Sequence, residues 1–442
     1  MSKLAPNSRG LAVAVLRQID QRRGFSNRIL AEHLDRLPEL DRRERGFVTT
    51  LVYGVLRHGA RLDALIDRAA DRPERLSARA REIARVAALE LRELGHPGHG
   101  AIPQALKLAE ALDPSRSLSR SLHAILGRIE RAGEALDRSL ESGRPLEVLA
   151  SRWSIPRWLA GRWLKQLGAE VALARARALA EPPSLDLRID LSRTSAEEVL
   201  AALRGGEREL EVSAPAGHPQ ALRVRGGGDL ARHPLHERGL FSVQAVGAQR
   251  AAIALGPCPG EHVLDACCGM GTKSLQLAEL MGRRGRIVAA DASEERLREH
   301  ASLRRRGALD GGELAFSSVR ADLIAPEAQA GVDEERYDAV LLDAPCTGLG
   351  NLARHPELRR TARFEDIAAC AEVQRRLLDR CRDRVRAGGR LVYAVCSLEP
   401  EEGPALVRAA CQAGAYALAR EESWTPESHR TDGFYLAVLH PA

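Results

Sequence analysis

The segment after Gly239 contains several short apolar stretches, each separated from the next by residues with helical spacing. These stretches are short and mostly apolar, which is typical of strands buried on both faces of a sheet. The predicted strands are HVLDA (262–266), RIVAAD (286–291), DAVLLD (338–343), GRLVYAVC (389–396) and GFYLAVLH (433–440). Their alternation with helices predicts a doubly wound, mostly parallel α/β sheet, which binds ligands beyond the C-terminal ends of its strands.

The residues before this segment predict two other kinds of structure. From about Ser8 to Leu136, apolar residues recur at helical spacing and no strand candidate interrupts them, so we predict an all-α domain. From about Leu146 to Arg238 we predict a small α+β module. It begins with SRWSIPRWLAGRWLKQLG, where three of the chain's four tryptophans alternate with basic residues. These side chains could stack on nucleic acid, or the tryptophans could pin a helix onto the next domain.

Charge and cysteine content restrict the class of protein. The formal net charge of +6 permits a nucleic-acid partner without requiring one. No run of about 18 apolar residues predicts a membrane span, and the N-terminus lacks the apolar region of a signal peptide. We therefore expect a cytoplasmic protein whose eight cysteines are reduced thiols. Their spacing predicts no metal site, because no CxxC pair is followed by a second pair.

A glycine-containing loop follows the first predicted strand in VLDACCGMGTK, residues 263–273. Glycines let the backbone approach a ligand closely, and the helix that opens near Lys273 offers free N–H groups. The loop matches neither GxGxxG nor the P-loop pattern, which disfavours a dinucleotide or a triphosphate. We therefore expect a nucleotide-type cofactor of another kind.

Acidic residues stand at or near the ends of three predicted strands. Asp265 ends the first strand, Asp291 ends the second, and Asp322 lies where a third strand would end. Asp291 is placed to accept hydrogen bonds from ribose hydroxyls, although DASEERL also fits the start of a helix. Asp322 could reach an adenine amino group. Together the three acids favour an adenosine-bearing cofactor bound without phosphates.

Two cysteines follow later strands. Asp343 ends DAVLLD and is followed by Ala-Pro-Cys346, and Cys396 ends GRLVYAVC. A cysteine in such a position is often only a buried filler, but the nearby carboxylate and glycine loop favour a functional role. Neighbouring strand ends converge, so both thiols should face one substrate. Two thiols and a carboxylate beside such a cofactor suit methylation of carbon 5 of a pyrimidine, which needs a thiolate nucleophile and a base. Which thiol is the nucleophile stays open on this reasoning.

These motifs resemble those of the RNA (cytosine-5)-methyltransferases of the Fmu/Sun (RsmB) type, from GLFSVQ (239–244) to DGFY (432–435). VLDACCGMGTK resembles the family's cofactor loop, usually DxCAAPGGK. LDAPC and the CS dipeptide at 396–397 resemble its two cysteine motifs, and RHPEL resembles the segment after the first. AIPQALKLAE resembles part of a NusB-type RNA-binding domain. This combination of domains is specific to the branch that acts on small-subunit ribosomal RNA.

The resemblance implies roles for individual residues. S-adenosyl-L-methionine would contact Cys267, Cys268, Gly269, Met270, Gly271, Thr272 and Lys273. Asp291 would hold its ribose, Asp322 would lie near its adenine, and Asp343 would lie near its methyl group or the target base. Cys396 would be the nucleophile and Cys346 would assist breakdown of the covalent adduct, while Asp343 would hydrogen-bond the cytosine ring.

The chain departs from the family pattern in two places. Cys268, Gly269, Met270 and Thr272 replace the usual Ala, Ala, Pro and Gly, and Val395 replaces the usual threonine before Cys396. Loss of the proline would make the loop more flexible and weaken cofactor binding. This motivates a rival hypothesis, an RNA-binding assembly factor that has lost catalysis.

The resemblance implies a multidomain, monomeric enzyme that methylates carbon 5 of a cytosine in 16S ribosomal RNA. We expect an all-α NusB-like RNA-binding domain at 1–140, a small α+β RNA-binding or linker module at 141–238, and a Rossmann-like α/β methyltransferase domain at 239–442. Transfer RNA or another RNA is the alternative substrate. A nucleotide-dependent dehydrogenase is disfavoured by the absence of GxGxxG.

Overall fold

The chain divides into two units by its internal contacts. The computed structural model describes residues 7–22, 24–113, 115–204, 210–215, 217–225, 230, 233–310, 312–325, 332 and 336–442. The first unit comprises the described residues up to Pro182 together with Leu352–Ala362, and the second comprises those of Pro183–Asn351 and Arg363–Ala442. Among the described helices, none combines the length and apolar character that a membrane-spanning helix needs.

Helices build the first unit. They are α1 (Ser8–Arg22), α2 (Ser26–Asp35), α3 (Arg42–Ala69), α4 (Ala78–Arg92), α5 (Gly98–Leu112), α6 (Ser117–Glu141), α7 (Pro145–Glu147) and α8 (Arg157–Ala180), with short helical turns at Pro73–Arg75 and Val148–Arg152. α3 begins at a capping box, in which the Asp41 carboxylate accepts from the Glu44 backbone N–H and Glu44 reciprocates. Val48 and Leu51 follow at helical spacing and are fully buried. No strand precedes residue 185 in the described residues, so the all-α prediction is confirmed.

The tryptophans near the start of α8 have different environments. Trp163 is 2% exposed and packs in the helical core, with the Arg175 guanidinium over its ring. Arg152 lies 4.4 Å from the ring centroid of Trp153. Trp163 therefore serves packing within its own unit, whereas nucleic-acid stacking by the other tryptophans of this stretch stays a prediction.

The second unit contains a small antiparallel sheet in its described residues. Its strands are β1 (Leu185–Ile189), β2 (Glu211–Ser213), β3 (Ala221–Arg225) and β4 (Phe241–Val243), in the order β2-β3-β1-β4, and α9 (Ala196–Arg204) and α10 (Pro234–Glu237) accompany them. Phe241 is buried against Leu187 and Ile189, so β4 completes this sheet although it lies after residue 238. GLFSVQ, which we expected to open the methyltransferase domain, thus supplies a strand of the small module.

A seven-stranded sheet forms the rest of the second unit in the described residues. Its strands are β5 (His262–Asp265), β6 (Gly285–Asp291), β7 (Leu314–Arg320), β8 (Tyr337–Asp343), β9 (Val385–Val395), β10 (Tyr416–Trp424) and β11 (Phe434–Pro441). The order is β10-β11-β9-β8-β5-β6-β7, with β5 to β9 parallel and β10 and β11 antiparallel to their neighbours. Its helices are α11 (Val246–Leu255), α12 (Thr272–Leu280), α13 (Glu294–Arg298), α14 (His300–Gly307), α15 (Leu358–Thr361), α16 (Phe364–Arg382), α17 (Pro404–Gln412) and α18 (Pro426–His429), of which α15 belongs to the first unit.

Each predicted strand of this sheet is present, and the central strands are buried on both faces. Val263 packs into one core cluster and Leu264 into the other, so successive residues of β5 point to opposite faces. The chain runs outward from β5 to β7 and returns to the other side of β5 at β8. This reversal places a topological switch point between β5 and β8, where ligands of such sheets bind.

The segment Leu352–Ala362, which contains α15, belongs to the helical unit. The Ser26 hydroxyl donates to Oε2 of Glu357 at 2.8 Å, and Glu357 is 2% exposed. Arg359 donates to the backbone oxygens of Trp153 at 2.7 Å and Leu179 at 2.8 Å. The chain therefore leaves the second unit after Asn351, contributes Leu352–Ala362 to the first unit, and returns to the second unit at Arg363.

Candidate active site

The strand order brings the predicted site segments to one edge of the large sheet. β5 lies between β6 and β8, and β9 adjoins β8 on the other side. These strands are parallel, so their carboxyl ends meet. Asp265, Asp291 and Asp343 end three of them, and Cys396 directly follows the fourth. The expected convergence of strand ends therefore exists in the structure.

The two cysteines predicted to face one substrate are in direct contact. The Sγ atoms of Cys346 and Cys396 lie 3.2 Å apart. The hydrogen bond with Cys396, together with burial, raises the pKa of the Cys346 thiol well above its ordinary value. Cys346 therefore keeps its proton at neutral pH and can donate it to the Cys396 sulfur.

A close backbone approach fixes the loop that carries Cys346 against the end of β9. The N–H of Gly350 donates to the carbonyl oxygen of Cys396 at 3.0 Å, and the N–H of Gly433 donates to the Gly350 oxygen at 2.8 Å. A Cβ atom at Gly350 would lie 2.2 Å from the Gly433 oxygen. Only glycine fits here without moving backbone, so Gly350 helps to set the register of the two cysteine loops.

Lys273, at the start of α12, lies beside the thiol pair. Its Nζ is 2.5 Å from Oδ2 of Asp343 at the end of β8. Burial alone would lower the pKa of Lys273, but the Asp343 carboxylate, with smaller contributions from Asp265 and Cys396, holds it above its ordinary value. The side chain is therefore a fixed cation that pairs with Asp343 and interacts electrostatically with Cys396.

The glycine loop between β5 and α12 is tied to the end of β6. The N–H of Gly269 donates to Oδ2 of Asp291 at 2.9 Å, and the N–H of Cys268 donates to the Ala290 oxygen at 2.9 Å. Gly271 has φ of 82°, in the region that favours glycine. Met270 is 53% exposed at the tip of the loop. Hydrogen bonds thus hold the ends of the loop, and Met270, which replaces the family's proline, lies at the surface.

The remaining predicted loop residues differ in their surroundings. Burial raises the pKa of Cys267 and Cys268, so both are neutral thiols rather than nucleophiles. The Thr272 carbonyl oxygen accepts from Nη1 of Arg188 at 2.9 Å, which anchors the first turn of α12. The backbone of this loop is therefore better suited to hold a cofactor than its thiols are.

Asp265 offers a polar atom toward this loop. Its Oδ2 accepts from the Ser274 hydroxyl at 2.6 Å, whereas its buried Oδ1 has no hydrogen-bond partner among the described residues. Burial raises the pKa of Asp265 to about 7. A buried, unpartnered oxygen beside a glycine loop fits a cofactor that brings a hydrogen-bond donor, such as an amino group.

The two acids assigned to ribose and adenine occupy neighbouring strand ends. Asp291 accepts from the N–H of Ser293 at 2.8 Å as well as from Gly269, so its carboxylate already organises the loop. Ser293, not Asp291, caps α13 with its side chain. Asp322 lies beyond the end of β7 and accepts from the Ile324 N–H at 3.1 Å. Asp291 is thus hydrogen-bonded to the glycine loop, whereas Asp322 lies just beyond the end of β7.

Sequence analysis missed His300, which supports the glycine loop from below. It is 1% exposed, its Nδ1 pairs with the Ser318 hydroxyl at 2.8 Å, and its Nε2 pairs with the Gly269 oxygen at 3.0 Å. A Cβ atom at Gly271 would lie 3.0 Å from Nε2. Burial lowers the pKa of His300, so the ring is neutral and donates one hydrogen bond. No sequence motif includes this residue, because it lies in a helix outside the cofactor loop and the cysteine segments.

Arg354 and His355 begin the RHPEL segment that follows the first cysteine motif, and their side chains could bind RNA phosphate. Both lie in the segment that belongs to the helical unit. His355 pairs with Oε1 of Glu357 at 3.2 Å and packs edge-on against Phe25. Their role toward RNA stays a prediction.

Comparisons with known proteins extend over the whole chain. The family model described as 16S rRNA methyltransferase RsmB/F matches residues 252–440, and the NusB family model matches 6–131. A model for the ferredoxin-like domain of RsmF/B-like methyltransferases matches 155–231. A probable ribosomal RNA small subunit methyltransferase B from Synechocystis is 32% identical over 99% of this chain and 100% of that protein. The chain belongs to the RsmB/F family of 16S rRNA methyltransferases.

Other comparisons agree with membership of the RsmB/F family. Ribosomal RNA small subunit methyltransferase B from Pseudomonas syringae is 31% identical, over 84% of this chain and 80% of that protein. The crystal structure of PH0851 is similar with a TM-score of 0.78 and 25% identity, over 99% of this chain and 100% of that chain. The predicted family and the multidomain fold, with its NusB-like, small and methyltransferase parts, are confirmed. This RsmB/F member is a methyltransferase of small-subunit ribosomal RNA.

Proposed function

We propose that this RsmB/F member methylates carbon 5 of a cytosine in 16S ribosomal RNA through a covalent adduct with Cys396. The observation that carries the proposal is the 3.2 Å contact between Cys346 and Cys396 beside the Lys273–Asp343 ion pair. Carbon 5 of a pyrimidine is a poor nucleophile until a thiolate adds at carbon 6. A thiol pair with a fixed cation and a carboxylate meets this requirement.

S-adenosylmethionine is the methyl donor, and when bound it supplies an electrophilic methyl group. The glycine loop and Asp291 would hold it, with Asp265 offering its unpartnered oxygen to a donor group. Asp322 would bind at the adenine end. His300 supports the loop that carries Met270 in place of the family's proline. These contacts support a loop that is held in place for cofactor binding although it lacks the family's proline.

Two observations favour Cys396 over Cys346 as the nucleophile. The raised pKa of Cys346 keeps that thiol protonated, so it can donate to its neighbour. The Lys273 ammonium interacts electrostatically with Cys396, so a fixed cation acts on this sulfur when it attacks. A thiolate at Cys396 would add to carbon 6, which makes carbon 5 able to take the methyl group.

The proton on carbon 5 must then leave so that the bond between carbon 6 and Cys396 can break. We assign this step to Cys346, which touches the nucleophile. Its thiol proton would pass to the Cys396 sulfur as the bond to carbon 6 breaks, and the Cys346 thiolate so formed would accept the proton from carbon 5. Asp343, held by Lys273, would hydrogen-bond the cytosine ring and support the addition. The chain is proposed to act as a monomer.

Bisulfite mapping of ribosomal RNA tests the proposed function. Cells that express the gene should show one protected cytosine in 16S ribosomal RNA that cells without the gene, or with Cys396→Ala, lack. Protection in a transfer RNA instead would identify the alternative substrate. If no cytosine changes and the purified protein binds no S-adenosylmethionine at millimolar concentration, the assembly-factor hypothesis replaces the enzyme.

A further inference from the structure

Glu402 is a buried carboxylate between the two cysteine loops. It ends the short helical turn Pro400–Glu402 that follows Cys396, and it is 0% exposed. Its own backbone oxygen accepts from the Tyr393 hydroxyl at 2.5 Å. The residue is therefore fixed both through its backbone and through its side chain.

The Glu402 carboxylate accepts four hydrogen bonds. Oε1 accepts from the N–H of Thr347 at 2.8 Å and from Nε2 of Gln374 at 3.1 Å. Oε2 accepts from the hydroxyls of Thr347 and Ser397, each at 2.5 Å. A carboxylate accepts at both oxygens and donates at neither, so these four donors match its charged form.

The partners of Glu402 are the residues next to the two thiols. Thr347 directly follows Cys346, and Ser397 directly follows Cys396. Gln374 also donates to the carbonyl oxygen of Pro345, which directly precedes Cys346. One carboxylate thus joins both cysteine loops, and removal of its oxygens would break hydrogen bonds on each side.

We propose that Glu402 is a positioning residue that holds the Cys346 and Cys396 loops at a fixed separation. Its hydrogen bonds go to Thr347 and Ser397, the residues that follow the two cysteines, and its charge contributes to the raised pKa of Cys346. The proposal rests on the proposed function, because both loops then carry catalytic thiols. A misplacement of about 1 Å in such a pair can cost about 100-fold in rate.

Turnover of Glu402→Ala tests the positioning role. With saturating RNA and cofactor, kcat should fall about 100-fold while both KM values change less than about threefold. Glu402→Gln keeps the shape and one accepting oxygen, and should lose less. Glu261→Gln is the control, because Glu261 accepts from Arg390 and the Cys258 N–H just before β5 begins, at the opposite edge of the sheet. Unchanged kcat in a folded Glu402→Ala protein would overturn the proposal.

A double-mutant cycle tests whether Glu402 acts through the serine after the nucleophile. Ser397→Ala should lower kcat by itself, but adding it to Glu402→Ala should lower kcat no further, because the shared hydrogen bond is already lost. If the loss of kcat in the double variant equals the product of the two single losses, Glu402 does not act through Ser397.

Oxidation by diamide gives a readout that needs no enzymatic activity. The Cys346–Cys396 disulfide, detected in peptides by mass spectrometry, should form at least about tenfold more slowly in Glu402→Ala than in the wild type or Glu261→Gln, because looser loops lower the effective concentration of one thiol near the other. An equal or faster rate would overturn the positioning role. If bisulfite mapping finds no protected cytosine in cells that express the wild-type gene, that result would count against the proposed function but not against the positioning role of Glu402.

Discussion

The Lys273 ammonium lies 2.5 Å from Oδ2 of Asp343 and so joins the start of α12 to the end of β8. One residue belongs to the loop that would hold the cofactor, and the other belongs to the strand that leads to Cys346. The ion pair therefore fixes a positive charge between the cofactor loop and the thiol pair. In the proposed mechanism, both the methyl transfer and the attack by Cys396 take place near that charge.

Replacement of Lys273 should disable turnover. Lys273→Met removes the cation that acts on Cys396 and leaves Asp343 without its ion-pair partner, so kcat should fall about 100-fold or more. Methyl incorporation into 16S ribosomal RNA measures the effect. Arg386→Met, which breaks the ion pair with Asp338 near the start of β9, is the control and should retain full activity. Retention of more than about a third of the activity by a folded Lys273→Met would show that the cation is dispensable.

The two cysteine variants should behave differently. Cys396→Ala should form no adduct with RNA and should show no turnover, whereas Cys346→Ala should accumulate a covalent complex because the adduct forms but breaks down slowly. Denaturing gels of the enzyme mixed with RNA and S-adenosylmethionine distinguish the two. The exposed Cys258 gives a control, Cys258→Ala. Exchanged phenotypes would make Cys346 the nucleophile.

Gly350→Ala should destabilise the protein and slow turnover. The new Cβ atom would lie 2.2 Å from the Gly433 oxygen and 2.9 Å from the Cys396 oxygen, so backbone on both sides must move. We expect a loss of about 1–3 kcal/mol in the free energy of unfolding, measured with urea. Gly312→Ala, whose Cβ atom would meet nothing within 4 Å, is the matched control. Equal stability of the two variants would mean that the loop adjusts freely.

The pH dependence of stability should report the buried Asp265. Burial raises its folded pKa to about 7, above the unfolded value, so the folded state binds the proton more tightly. Stability from this residue is full below the unfolded pKa near 4 and is lost as pH rises toward about 7. Asp265→Asn cannot titrate, so the wild type should lose up to about 4 kcal/mol relative to it over this window. A pH-independent difference in the free energy of unfolding would contradict the raised pKa.

Much of the sheet and of the site could be predicted because the signals are local. Each strand that carries Asp265, Asp343 or Cys396 has a continuous apolar pattern, and parallel strands necessarily bring their carboxyl ends together. β10 was not predicted, because its residues from Ala417 to Glu421 are exposed at the sheet edge and polar in part. An edge strand of this kind has no apolar run to reveal it.

The supporting residues could not be predicted, because their partners are distant along the chain. Glu402 receives its hydrogen bonds from Thr347, Gln374 and Ser397, and His300 meets the glycine loop only after the sheet has formed. A single sequence records none of these pairings. Motifs reveal groups that perform chemistry, whereas the groups that hold them emerge only from tertiary structure.

The assignment of Leu352–Ala362 to the helical unit limits how this chain can be divided. A fragment that ends at residue 182 would lack Arg359, so the carbonyl oxygens of Trp153 and Leu179 would lose its guanidinium. Ser26 would lose Glu357, and Arg57 would lose its acceptor at Ala353. The helical part is thus interleaved with the methyltransferase part along the polypeptide. No single cut in the polypeptide therefore releases both units with all of these contacts intact.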